Sequence, residues 1–165
     1  MSDWTADIEE VLKSIQYNCN ILASHHRKHY QDLKELLKYF RIPIIVISGI
    51  NSVISVGLSS YADQELVSVV TCLLSLVCSV IGSVELFLSV QKTMEAELMA
   101  YRDYYLLGLE IEKVLMLRPD HRPIPSKEFL QAKYAIYVKL IETSNVVGTG
   151  YEELKSIQRV DAVVQ

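Results

Sequence analysis

The chain has no lysine or arginine between residues 42 and 91, although it carries 16 of them elsewhere. That gap excludes an evenly charged soluble surface over 50 of the 165 residues. Cysteine is sparse. Cys19, Cys72 and Cys78 show no metal-type spacing, which speaks against a zinc module and against a disulfide framework. Their use fits soluble parts facing a reducing compartment. The opening stretch, "MSDWTADIEE", has no apolar core and does not read as a cleaved signal peptide. A net charge of −4 offers no footprint for nucleic acid. No Gly-x-Ser-x-Gly elbow and no Walker loop occur, and "GTG" at 148–150 lacks the preceding strand and third glycine of a dinucleotide fingerprint. No nucleophile, base and orienting group form a set. The expectation is a protein that is not an enzyme, with no cofactor, no metal and no small-molecule substrate.

What is present is long apolar chain. Residues 42–62 and 66–84 contain no Asp, Glu, Lys or Arg, and only the short acidic link "ADQEL" separates them. The first run has 21 residues. As a helix it would be about 31 Å long, close to the hydrocarbon thickness of a bilayer. The second has 19 residues before Glu85 and can extend to Gln91. The pattern predicts an all-α chain with an integral membrane hairpin over 42–91 and a tight turn at 62–66. A buried hairpin in a globule is the competing reading. A chain of 165 residues leaves too little other material to cover two such helices.

Orientation follows from the basic residues. Arg27, Lys28, Lys34, Lys38 and Arg41 precede the first run, and Lys92 and Arg102 follow the second. Both termini are expected on the cytosolic side, with the acidic turn opposite. Tyr39 and Phe40 suit the near interface and Tyr61 the far one. The basic segment 25–41 suits anionic headgroups.

Each run carries a stripe of small residues at alternating spacings of three and four. Ser48, Ser52, Ser55 and Ser59 mark the first; Ser68, Cys72, Ser75, Ser79 and Gly82 mark the second. Small residues let membrane helices approach closely, so the stripes are expected to meet in the hairpin or to face a second copy. Asn51 lies mid-run, and Glu85 lies toward the cytosolic end of the second helix. An intramembrane polar group is a candidate for conduction, although Glu85 also lies near enough to Gln91 and Lys92 to reach the interface. Pro43 stands where the first membrane helix begins, in a first turn or at a kink.

The flanks read as amphipathic helices. Residues 3–24, capped by Ser2 or Asp3, place Trp4, Ile8, Val11, Ile15, Cys19 and Leu22 on one stripe. Tyr30, Leu33, Leu37 and Phe40 continue it over 25–41. Residues 90–117 are expected to leave the membrane as one helix with a stripe of Met94, Leu98, Tyr101, Tyr105 and Leu109. "RPDHRPIPS", at 118–126, is a breaker with three prolines. A further helix runs from about Lys127 to Thr143 with Leu130, Tyr134, Tyr137 and Ile141, and a short one from Tyr151 to about Val160. These stripes can pack on one another or bind a partner. The layout is an N-terminal amphipathic, basic segment over 1–41, the hairpin over 42–91 and a C-terminal helical region over 92–165. His25, His26 and His29 cluster, and His25 and His29 share a helix face, but with no third ligand nearby they read as a solvated basic face.

"LKYFRIPIIVISGINSVISVGL" and "CLLSLVCSVIGSVELFLSVQKTMEAELMAYRDYYLLGLEIEKVL" resemble a family of small two-helix membrane proteins encoded by large double-stranded DNA viruses with icosahedral capsids. The layout, with its second helix ending "KLIETSN", is also similar to two-transmembrane effector domains of bacterial nucleotide-signalling systems. The likeness covers roughly residues 25–147 and brings no catalytic motif. The viral branch implies a minor capsid component in the inner virion membrane, with the lipid bilayer and capsid shell proteins as partners and with self-association. The effector branch implies oligomers that permeabilise a membrane.

Overall fold

Asp7 and Glu9 sit in the first turn of the first helix, where carboxylates oppose the positive end of the helix dipole. The computed structural model describes residues 3–57, 63–144 and 154–155. The elements are α1 (Ala6–Gly57), α2 (Gln64–Leu88), α3 (Val90–Leu115), a 3₁₀ turn (Pro119–His121) and α4 (Ser126–Thr143). No strand occurs among the described residues. Ser2, Ser59, Tyr61 and Ala62, which carry a cap, a stripe position, an interface position and the start of the turn, lie outside those residues. So does the helix expected over Tyr151 to Val160, apart from Leu154 and Lys155, which are not helical.

Contacts divide the chain into two compact units, Met1–His29 with Ala96–Gln165, and Tyr30–Glu95. The boundaries therefore follow packing, whereas the charge pattern places them at 41 and 91. In the first unit the stripe on α1 is the core. Ile15, Cys19 and Leu22 are fully buried, and Trp4, Ile8 and Val11 nearly so. They pack with Tyr104, Leu107 and Ile111 of α3 and with Phe129, Leu130 and Tyr137 of α4. Tyr134 and Ile141 lie against the same cluster.

Of the stripe expected on α3, Tyr101 packs against this core, but most of its members are out of phase with it. Leu98, Tyr105 and Leu109 are exposed, and Tyr104, Leu107 and Ile111 take the buried side. The cause is composition: α3 is apolar on two faces, and periodicity cannot rank them. At Gly108 the helices come close, since a Cβ there would stand 3.2 Å from Oδ1 of Asn20.

The proline-rich breaker is tied down by one side chain. The side chain of Arg122 is 3% exposed, and its Nη1 donates to Oε1 of Glu9 at 2.7 Å. Its Nε donates to the carbonyl of Leu117 at 3.0 Å. Its guanidinium lies 4.3 Å from the centre of the Trp4 ring. A buried guanidinium demands this many acceptors, and here they come from α1 and the end of α3. Ser126 Oγ donates to the carbonyl of Asp3 at 2.6 Å, which closes the α4 start onto the N-terminal segment. Asn18 is buried within the core yet satisfied. Its amide nitrogen donates to the Tyr137 hydroxyl at 3.2 Å and to the Lys155 carbonyl at 2.9 Å, and its oxygen accepts from the Lys155 N–H at 2.8 Å.

Candidate membrane-spanning hairpin

The second unit is built from the later part of α1 and from α2. Pro43 lies inside α1, not at its start. It forfeits the hydrogen bond that residue 43 would otherwise give to the carbonyl of Tyr39, a loss that long apolar helices tolerate. At the far end, Asp63 is the N-cap residue of α2, and its carbonyl accepts from the N–H groups of Leu66 and Val67. Gln64, Glu65 and Leu66 thus belong to the helix, which narrows the expected turn at 62–66. At the near end α2 stops at Leu88. Ser89 takes a left-handed conformation, with φ 50° and ψ 32°, before α3 starts at Val90. The sequence pattern carries no sign of this one-residue break.

Three side-chain contacts fix the pairing. Arg41 Nε donates to Oε1 of Glu85 at 3.3 Å. Ser48 Oγ and Cys78 Sγ are 3.8 Å apart. Asn51 Nδ2 donates to Ser75 Oγ at 3.1 Å. Advancing from 41 to 48 to 51 on α1 moves 85 to 78 to 75 on α2, in equal and opposite steps. That is an antiparallel register, and extended toward the tip it converges on Asp63. Arg41 Nη2 also donates to Oε1 of Gln91 at 2.8 Å. Glu85 therefore has a cationic partner at the basic end of the hairpin, and Asn51 is spent partly on α2. Oδ1 of Asn51 is buried and accepts no hydrogen bond among the described residues.

The stripes of small residues do not fill the contact between the helices. The half-buried positions are Pro43, Ile44, Ile47, Asn51 and Ile54 on α1, and Val70, Thr71, Leu74, Cys78, Ile81, Gly82 and Glu85 on α2, with Val67 buried. Ser48, Ser52, Ser55, Ser68, Cys72, Ser75 and Ser79 are exposed, and a Cβ on Gly82 would meet nothing within 4 Å. Ser48 and Ser75 reach the contact from its edge. Ser52 and Ser68 instead bond to carbonyls one turn back on their own helices. The reason is rotational. The branched residues and the small residues repeat with the same period, but the two rows lie about a quarter turn apart on each helix.

Among the described residues the apolar surface is otherwise bare. No residue of the most apolar stretch of α1 is buried, and only 6% of that in the run from Gln64 is. Val53, Leu86 and Phe87 are 68%, 80% and 87% exposed. Arg27, Lys28, Lys34, Lys38, Arg41 and Lys92 are all exposed. Two of them have local partners: Lys38 pairs with Glu35 at 2.6 Å, and Arg41 with Glu85.

In the first unit, sequence reasoning missed a buried carboxylate. One oxygen of Glu97 is hydrogen-bonded to Nδ1 of His26 at 2.6 Å, and the other lies 3.0 Å from Nδ1 of His29. His26 is buried and stacked on Tyr104 at 5.5 Å. The three histidines do not form one solvated face. Among the described residues, no group of three His, Cys, Asp or Glu side chains is placed to hold a metal ion. Cys19 is buried in the same unit, and desolvation pushes its thiol up to about 12.

Comparison with known proteins gives one informative likeness. The chain is 27% identical over 139 residues to "Uncharacterized protein VP11" of Micromonas pusilla reovirus, a match that covers 84% of this chain and 72% of the relative. The relative is viral. It belongs to a reovirus, so the match supports the viral part of the resemblance and none of its finer content. No known protein family matches the sequence, and no solved structure matches the fold.

Proposed function

We propose that this chain is a viral membrane protein whose hairpin, α1 from Ile42 with α2, spans a bilayer and anchors the chain to it. One observation carries the reading: the most apolar surface of the chain is bare, while less apolar segments build a complete core. Water does not tolerate an uncovered apolar surface of this size, whereas lipid does. The viral relative and the basic residues before Ile42 support the same assignment.

The role that fits best is structural: an anchor that presents the helical unit to a partner, with a capsid shell protein as the partner the resemblance suggests. The pore-forming alternative leans on Asn51 and Glu85. Their contacts with Ser75 and Arg41 favour a hairpin that holds itself together. The test is alkaline extraction of membranes from cells making the full chain. Retention in the pellet and release by detergent are expected. Release by alkaline carbonate alone would sink the reading. For the shell partner, copies retained on detergent-stripped particles of the encoding virus are the expected result, and complete loss with the lipid would count against it.

A further inference from the structure

The outer face of α3 has a pattern that the described residues of its own unit do not use. Leu98, Arg102, Tyr105, Leu109, Glu112 and Met116 recur at spacings of four, three, four, three and four. That is the seam period of two helices packed along their length. Leu98, Tyr105 and Leu109 are 43%, 46% and 42% exposed, and Met116 is 75% exposed. The helical bonding reaches Met116, whose N–H donates to the carbonyl of Glu112 at 2.9 Å. The two charged members are little used. Among the described residues, Arg102 bonds only to its neighbour Asp103, at 3.4–3.5 Å, and Glu112 makes no side-chain hydrogen bond or ion pair.

We propose that α3 pairs antiparallel with α3 of a second copy of this chain through this face. A two-fold interface must be complementary to itself. This face meets that condition, because Arg102 and Glu112 stand equally far from residue 107 on either side. An antiparallel pair centred there sets Arg102 against Glu112 of the partner copy, twice. It also sets Tyr105 against Leu109, and Leu98 against Met116, so every apolar member of the seam meets another. A parallel pair in register would set arginine against arginine and glutamate against glutamate, and like charges at a seam cost several kcal/mol. The charges thus choose the direction, and the apolar members supply the contact. The pairing uses the helical unit alone and does not rest on the membrane assignment.

The test uses full-length chain in detergent micelles, with donor- and acceptor-labelled copies mixed and energy transfer read against concentration. The wild-type chain is expected to associate. Arg102→Glu and Glu112→Arg, each alone, should weaken association by roughly tenfold or more, since each creates two like-charged contacts. Mixing those two variants should restore the wild-type affinity, because in the mixed pair every charge again meets its opposite. Fluorescence of the single tryptophan, Trp4, reports whether each variant keeps the core of its unit. A wild-type chain that stays monomeric would overturn the pairing. So would association that ignores both charge reversals, or single-variant losses that mixing fails to restore.

Discussion

The two units of this chain treat apolar residues in opposite ways. In the helical unit, Leu12, Ile15, Leu22, Ile111 and Leu130 are 0% exposed. In the hairpin unit, Ile45, Val53 and Leu66 are 70%, 68% and 61% exposed, although the hairpin is the more apolar of the two. Hydrophobicity sets how strongly a side chain leaves water, not which surface receives it. In the helical unit other helices receive it. Within the hairpin unit, among the described residues, each helix has one neighbour and most of its apolar surface is left uncovered. Buried polar residues gather in the helical unit, where Asn18, Glu97 and the Arg122 side chain have their partners supplied by the fold.

The largest effect should come from the helical core. Tyr104→Ala removes a fully buried ring that stacks on His26, and it should destabilise that unit by about 3–5 kcal/mol. Trp4 is the only tryptophan, so a thermal melt followed by its emission isolates this unit from the hairpin. The hairpin should keep its membrane retention if the fraction of native protein is scored separately. Leu73→Lys inverts the comparison. Leu73 is 57% exposed, so in water the change would be nearly silent. In a bilayer, a lysine near the middle of a spanning helix costs about 3 kcal/mol on insertion scales. A clear loss of alkali-resistant chain is expected, and unchanged retention would erase the distinction drawn here between the units.

Asn51→Ala is a finer probe. It removes the bond to Ser75, and interhelical bonds of this kind average about 0.6 kcal/mol in membrane proteins. A small drop in resistance to unfolding in mixed micelles is expected, with Ser75→Ala giving no further loss in the double variant. The smallest effect is one of reactivity. Burial raises the Cys19 thiol from 9.0 to about 12. A raised thiol favours the folded state below pH 9, and that contribution is lost as pH climbs toward 12. At pH 8, Cys19 should resist alkylation until denaturant releases the core. Prompt labelling in the native chain would show that the core is open at this point.

Several parts of this picture are legible in the residues alone. The stripe from Trp4 to Leu22 reads as a buried face because every fourth or third position is apolar and the positions between are mostly not. The charge gap reads as a hairpin because no charged residue interrupts either run. Other parts are not legible there. On α3, Leu98, Tyr105 and Leu109 repeat as regularly as Tyr104, Leu107 and Ile111. Glu97 looks like any surface carboxylate in "TMEAEL" until His26 and His29 are brought to it from 71 and 68 positions away. The small-residue stripes look like the hairpin seam, and only the rotation of each helix about its axis puts the branched residues there instead.

Helical class, the charge-free runs and the gathering of basic residues at one end of them follow from the sequence, because helix period, run length and charge are local properties. Which face of each helix is buried, where α2 breaks from α3, and which carboxylates gain partners are settled by tertiary packing. Those depend on contacts between residues far apart in the chain, and no local pattern encodes the rotation and register that create them.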